Sequence, residues 1–167
     1  SEQGQASYYY SQPFFQASGS LDIDGKTYQV SGPAWLDREW SSQPLTANQT
    51  GWDWFSLHLD SGEQVMLYRM RNKDGEPYLT GTWIDADGQT QQLHADDIRL
   101  TPQDTAQVAG RQMPVRWSIK IPGKHLDITL NALNPNAWMD LRIPYWEGPV
   151  QLSGSHAGQG YLEMTGY

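Results

Sequence analysis

The stretch that decides the fold is GWDWFSLHLDSGEQVMLYRMR, residues 51–71. Apolar and polar residues alternate on both sides of Ser61-Gly62, and such alternation predicts half-buried β-strands. A glycine-containing pair between two alternating runs predicts the turn of an antiparallel hairpin. The stretch therefore predicts two paired strands with one face toward a core and the other face outward.

A two-residue turn at Ser61-Gly62 would set the register of this hairpin by placing Asp60 opposite Glu63. Asp53 then falls on the core face, where burial would favour the protonated form that a general acid needs. The alternative is that Asp53 is solvated at the strand end or pairs with an arginine. The predicted core face carries Asp53, Phe55, Leu57, Leu59, Met66, Tyr68 and Met70, and the predicted outer face is a tryptophan–arginine ladder of Trp52, Trp54, Ser56, His58, Arg69 and Arg71.

The rest of the chain has the punctuation of an antiparallel β protein. Asp24-Gly25, Asp74-Gly75 and Asp87-Gly88 each separate strand-like runs. No long segment has the 3.6-residue periodicity of a helix, and TPQDTAQVAG (101–110) is expected to hold one short helical turn. About ten short strands with little helix predict a sandwich or barrel. Because no linker or low-complexity tract interrupts the chain, we expect a single domain over residues 1–167.

Composition narrows the function classes. The net charge of −8 argues against an electrostatic grip on nucleic acid or on an anionic membrane. The chain contains no Cys, so disulfides and thiolate chemistry are excluded. Eight Trp and nine Tyr against three Phe indicate half-wet surfaces such as ligand pockets or interfaces, although single aromatics can equally fill a β-core.

A second dense stretch is GPAWLDREWSS, residues 32–42. As a strand it places Trp35, Asp37 and Glu39 on one face, with Arg38 and Trp40 on the other. A carboxylate pair beside a tryptophan suits acid–base chemistry. The alternative is that the charges are a solvated rim and only the tryptophans are buried.

Other chemistries have weaker support. No G-x-S-x-G motif is present, and Ser155 next to His156 is not a triad arrangement. The four histidines are scattered, and HADD (94–97) is the nearest approach to a ligand cluster. We therefore expect neither a metal site nor a cofactor.

Five motifs in order resemble the AttH-like / carotenoid 1,2-hydratase family: ASYYYSQP, GPAWLDREWSS, GWDWFSLHLDSG, YWEGPVQLSG and GQGYLEMTGY. The resemblance implies a lipocalin-like antiparallel β-barrel. It also implies that the chain is the C-terminal half of a two-domain protein whose N-terminal lipocalin-like domain is its partner. A bacterial protein is implied, periplasmic, secreted or envelope-anchored. Relatives include hydratases and predicted secreted hydrolases, so the resemblance leaves enzymatic activity open.

The resemblance also points to particular residues. In the hydratases, a Tyr-x-Asp element supplies the acid, and the resemblance aligns it with Trp35 and Asp37. Asp37 keeps the carboxylate of that element, whereas Trp35 replaces its tyrosine. A His-x-Trp element corresponds to about Tyr8 and Tyr10, where neither residue is kept. These departures favour a binding cavity over retained carotenoid hydration.

Three hypotheses follow. The first is a module that binds an apolar or amphipathic ligand, a lipid or isoprenoid. The second is an acid-catalysed hydratase or hydrolase that uses a protonated Asp, and the third is a structural half that packs on its partner domain. The candidate catalytic residues are Asp37 and Asp53, and the candidate ligand-binding residues are Tyr8, Tyr10, Trp35, Glu39, Trp52, Trp54 and Tyr68.

Overall fold

A computed structural model describes residues 7–41 and 45–167 of the chain. The chain divides into two compact units, which we call the hairpin unit, Ser1–Pro44, and the sheet unit, Leu45–Tyr167. The strands within the described residues are β1 Ser7–Ile23, β2 Lys26–Ser41, β3 Gln49–Leu59, β4 Gln64–Asn72, β5 Tyr78–Ile84, β6 Thr90–Leu93, β7 Arg99–Val108, β8 Arg111–Ile121, β9 Leu126–Ala132, β10 Trp138–Met139, β11 Tyr145–Gly154 and β12 Gly158–Met164. Two 3₁₀ turns, Ala95–Asp97 and Pro122–Lys124, are the helical elements of these ranges.

The hairpin unit consists of β1 paired with β2, from Ser7 opposite Ser41 to Ile23 opposite Lys26. Asp24 and Gly25 form a two-residue turn and both have positive φ, 52° and 77°. This is the backbone of a type I′ turn, whose twist matches that of the strands it joins. The prediction of a hairpin turn at Asp24-Gly25 is confirmed. A bulge between Gln12 and Phe15 interrupts the ladder once.

The sheet unit is one antiparallel sheet in the order β6-β5-β4-β3-β12-β11-β9-β8-β7, with β10 paired to β11. The sheet is curled. Contacts across its inner face between strands far apart in this order show the curl. Phe55 of β3 meets Trp117 of β8 edge-on with ring centroids 5.3 Å apart, and Lys124 lies 5.1 Å from the ring of Trp83 on β5. The curled sheet is a half-barrel, which confirms the predicted all-β antiparallel fold.

Side chains fill the interior of the curl. Leu57, Leu67, Met113 and Leu130 are among the residues with no exposed surface, and the tryptophans Trp117 and Trp146 are the largest of that set. The concave face of this unit is therefore a packed core, as in small barrels whose interior is just wide enough for side chains. Within the described residues, no helix has the length and apolar character needed to cross a bilayer.

The predicted register of the β3–β4 hairpin is wrong by one residue. His58, and not Leu59, lies opposite Gln64. The loop holds three residues, closed by hydrogen bonds from Leu59 N to Glu63 O (3.0 Å) and from Gly62 N to Leu59 O (2.9 Å). Gly62 has a φ of 106°, a backbone conformation that residues with a side chain rarely adopt. A glycine at the end of a three-residue loop is common in β-hairpins.

A one-residue slip moves every side chain of one strand to the other face. Arg69 therefore lies opposite Asp53 on the core face, and Tyr68 lies opposite Trp54 on the outer face. The predicted tryptophan–arginine ladder is therefore wrong. The outer face carries a row of aromatic and thioether side chains, because Met70 and Tyr68 lie opposite the two tryptophans. A second correction concerns residues 101–110, where the expected helical turn is strand β7 followed by a tight turn.

Candidate functional site

The outer face of the sheet unit gathers three of the predicted ligand-binding residues. Trp54 lies opposite Tyr68 on β4 and opposite Glu163 on β12, and Trp52 is two residues from Trp54 on the same face. Glu147 of β11 lies opposite Glu163. Strand pairing thus places indole, phenol and carboxylate groups side by side. We call this surface the aromatic face and define it as Trp52, Trp54, Tyr68, Tyr161, Glu147 and Glu163.

Hydrogen bonds orient the polar groups of the aromatic face. The Trp52 indole Nε1 donates to Glu163 Oε1 at 2.7 Å, and the Tyr161 hydroxyl donates to Glu147 Oε1 at 3.2 Å. Burial, followed by the negative charge of Glu147, raises the pKa of Tyr161 to about 12. The phenol therefore remains a donor at neutral pH, and the face offers both apolar area and acceptors to a ligand.

Asp53 is fully buried at the end of the packed core and is held by three groups. Arg69 Nε contacts Asp53 Oδ2 at 2.7 Å, and Arg71 Nη1 contacts Oδ1 at 3.4 Å. The hydroxyl of Tyr167, the last residue, donates to Oδ1 at 2.7 Å. The same arginines lie over aromatic rings, Arg69 at 4.8 Å from Trp117 and Arg71 at 3.7 Å from Tyr167. We call these groups the ion-pair cluster.

The chemistry of the ion-pair cluster follows from its charges. Two guanidinium groups and a hydroxyl group surround one buried carboxyl group, and a buried charge is tolerated when it is paired and hydrogen-bonded in this way. Burial and the charge of Asp53 raise the pKa of Tyr167, which keeps this phenol in its donating form. The arrangement ties β3, β4 and the C-terminal residue together. It matches the alternative in which Asp53 pairs with an arginine.

In the hairpin unit, Asp37 sits among hydroxyl groups. Ser11, its cross-strand partner, donates to Asp37 Oδ1 at 2.6 Å, and the Tyr9 hydroxyl donates to the same oxygen. The Ser11 and Tyr9 hydroxyl oxygens lie 2.8 Å apart. Glu39, the next carboxylate on this face, accepts from Ser7. A carboxylate beside two hydroxyl groups provides the types of side chain that general acid–base chemistry uses.

Tyr8 and Tyr10 lie on the opposite face of the hairpin from Asp37. They pack against Trp40, Tyr8 in a stacked arrangement at 5.9 Å and Tyr10 edge-on at 6.3 Å. Arg38 lies 5.9 Å from the same ring. The predicted division of residues 35–40 between two faces is thus confirmed. The hairpin does not bring Tyr8 and Tyr10 together with Trp35, Asp37 and Glu39.

Several residues of these sites were missed from the sequence. Tyr161, Glu147 and Glu163 join the aromatic face through strand pairings whose partners are distant in the chain. Tyr9 joins Asp37 across β1 and β2, and its sequence signal was its alternation with Tyr8 and Tyr10. Within residues 7–41 and 45–167, no group of three His, Cys, Asp or Glu side chains is arranged to hold a metal ion.

Comparison with known proteins shows one family, and the solved structures that match include an AttH protein. The family model described as AttH-like matches residues 1–167. A candidate AttH protein from Nitrosomonas europaea, known from its crystal structure, shares 36% sequence identity with this chain. The match covers 96% of this chain with a TM-score of 0.86. The match covers 52% of the Nitrosomonas chain, so this chain spans about half the length of that protein. No curated protein matches the chain.

Proposed function

Since the chain belongs to the AttH-like family, we propose that it is a lipocalin-like module that binds an apolar or amphipathic molecule, such as a lipid or isoprenoid. The observation that carries this proposal is the aromatic face. Trp52, Trp54 and Tyr68 lie together on two neighbouring strands, half-buried, beside acceptor carboxylates. Tryptophan and tyrosine suit such a role because they combine a large apolar surface with a polar group.

The packing supports one position for the proposed ligand. The concave interior of the sheet unit is occupied by side chains such as Trp117 and Trp146. A ligand the size of a lipid chain therefore fits the outer aromatic face better than the interior of the curl. The apolar part of the ligand would lie along Trp52, Trp54 and Tyr68. A head group with hydroxyl or ammonium donors would reach Glu147 and Glu163.

A titration of tryptophan fluorescence with dodecyl maltoside, kept below the concentration at which micelles form, tests this proposal. We expect a saturable change with dodecyl maltoside and none with maltose, because the apolar chain supplies most of the binding energy. Dodecyl sulfate should bind more weakly than dodecyl maltoside, since its anionic head would lie near two carboxylates. If none of the dodecyl compounds gives a saturable signal, the binding proposal is wrong.

A second candidate function is acid-catalysed chemistry on an isoprenoid-like substrate. It is favoured by Asp37, which keeps the carboxylate of the resembling hydratases and accepts hydrogen bonds from Tyr9 and Ser11. Asp53 is less suited to donate a proton because it is paired with two arginines. An Asp37→Asn variant separates the two functions, since it removes the acid and leaves the aromatic face intact.

Two further proposals concern the setting of the protein. We propose a bacterial envelope location, periplasmic, secreted or membrane-anchored, on the basis of the family resemblance. We also propose that residues 1–167 act as one half of a longer protein whose other half is a similar domain. The 52% coverage of the Nitrosomonas chain supports this arrangement, because a protein of that length has room for a second half-barrel.

A further inference from the structure

The hairpin unit has one apolar face and one polar face. Between the bulge and the turn, alternate positions of β1 and β2 carry Phe15, Leu21, Ile23, Tyr28 and Val30 on the same side. The charged residue of this side is Lys26 beside the turn, whose ammonium lies 4.9 Å from the Tyr28 ring. The other side carries small and polar groups. Its members are Gln16, Ser18, Ser20 and Asp22 of β1 and Thr27, Gln29 and Ser31 of β2. Such a pattern is typical of a sheet that packs one face against a second layer.

The two strands of this unit do not themselves provide a second layer. Leu21, Ile23, Tyr28 and Val30 are 51%, 53%, 41% and 41% exposed. A two-stranded hairpin is marginally stable by itself, and a contiguous apolar face of this kind is commonly an interaction surface. The apolar face therefore needs an occupant to contribute to stability.

We propose that the apolar face of the hairpin docks the second half-barrel of an AttH-like protein, the part that this chain does not match. The proposal rests on the partner half proposed above. It is supported by length, because the Nitrosomonas chain is about twice as long as the matched region. It is also supported by chemistry: β-branched, aliphatic and aromatic side chains on a pleated surface suit an apolar sheet face as the occupant.

The test uses the half of the Nitrosomonas europaea protein that this chain does not match, added to the intact 167-residue protein. The apolar variant carries Leu21→Thr, Ile23→Thr and Val30→Thr. The matched control carries Ser20→Thr, Gln29→Thr and Ser31→Thr on the polar face. Threonine is compatible with a strand in both variants. Affinity is measured by calorimetry, and hydrogen exchange of residues 7–41 reports whether the hairpin is covered.

We expect the wild-type protein and the control to bind the added half, with slower hydrogen exchange at residues 15–34. The apolar variant should bind at least about 10-fold more weakly, because it loses three large apolar side chains from the proposed interface. If the wild-type protein does not bind, the partner half is the wrong occupant and both proposals fail. Equal binding by the apolar variant would reject the hairpin face and leave the partner half standing.

Two other outcomes would also overturn the inference. Slow exchange of residues 15–34 in the monomer without any addition would mean that the chain covers this face itself. A concentration-dependent dimer in light scattering, lost in the apolar variant and kept in the control, would identify a second copy as the occupant.

Discussion

Replacing Asp53 by Asn is expected to lower the free energy of unfolding by about 3 kcal/mol. The substitution removes the negative charge that Arg69 and Arg71 share and leaves two largely buried guanidinium groups without their counter-charge. The Tyr167 hydroxyl keeps an oxygen to which it can donate. Breaking one side of a buried pair is costly because the remaining charge stays desolvated. Urea unfolding followed by circular dichroism measures the change.

The matched control is Asp127→Asn. Asp127 pairs with Lys120 at 2.9 Å, but both side chains are about half exposed, at 61% and 49%. Surface pairs of this kind contribute about 0–1 kcal/mol. A loss below about 1 kcal/mol for Asp53→Asn would contradict the ion-paired assignment. An amide is a close substitute for a neutral carboxylic acid, so that outcome would support Asp53 as the protonated acid.

The second large effect concerns ligand binding. Trp54→Ala is expected to weaken binding of dodecyl maltoside by about 2 kcal/mol, roughly 30-fold in the dissociation constant. Trp54 is central to the aromatic face, between Tyr68 and Glu163, and its indole is large and apolar. Calorimetry is the suitable measurement, because it does not depend on the fluorophore that is removed.

Trp138→Ala is the control for this variant. Trp138 is also a half-buried tryptophan, but it belongs to β10, and Arg111 lies 4.6 Å from its ring. Its removal should leave the dissociation constant within about 2-fold, because Trp138 lies outside the aromatic face and separate sites act independently. Equal losses in the two variants would mean that general destabilisation, rather than contact with the aromatic face, explains the weaker binding.

The sequence predicts the fold well because alternation and turn chemistry are local signals. Asp24-Gly25 shows this most clearly: a two-residue Asp-Gly turn joins strands whose pairing follows directly from it. Ser61-Gly62 shows the limit. The choice between a two- and a three-residue loop depends on small differences in backbone energy, and the letters Ser-Gly are compatible with both.

The consequences of that one choice explain most of the errors at the candidate site. In the observed register, Arg69 shares the face of Asp53 and Tyr68 shares the face of Trp54. The predicted register had placed each of these two residues on the opposite face. Glu163 and Glu147 could not be placed beside Trp54, because the pairing of β12 with β3 joins residues about a hundred positions apart. By contrast, the alternation of Trp35 to Trp40 needs no distant partner, and its two faces were predicted correctly.

Nuclear magnetic resonance of the tryptophan indole N–H groups during addition of dodecyl maltoside tests the central claim most directly. The aromatic face predicts that the Trp52 and Trp54 signals move in a saturable way. The Trp117 and Trp146 signals should stay in place, because these indoles are buried and donate to the backbone oxygens of Pro114 and Pro135. Saturable shifts confined to the core tryptophans, or to Trp40 of the hairpin, would contradict binding at the aromatic face.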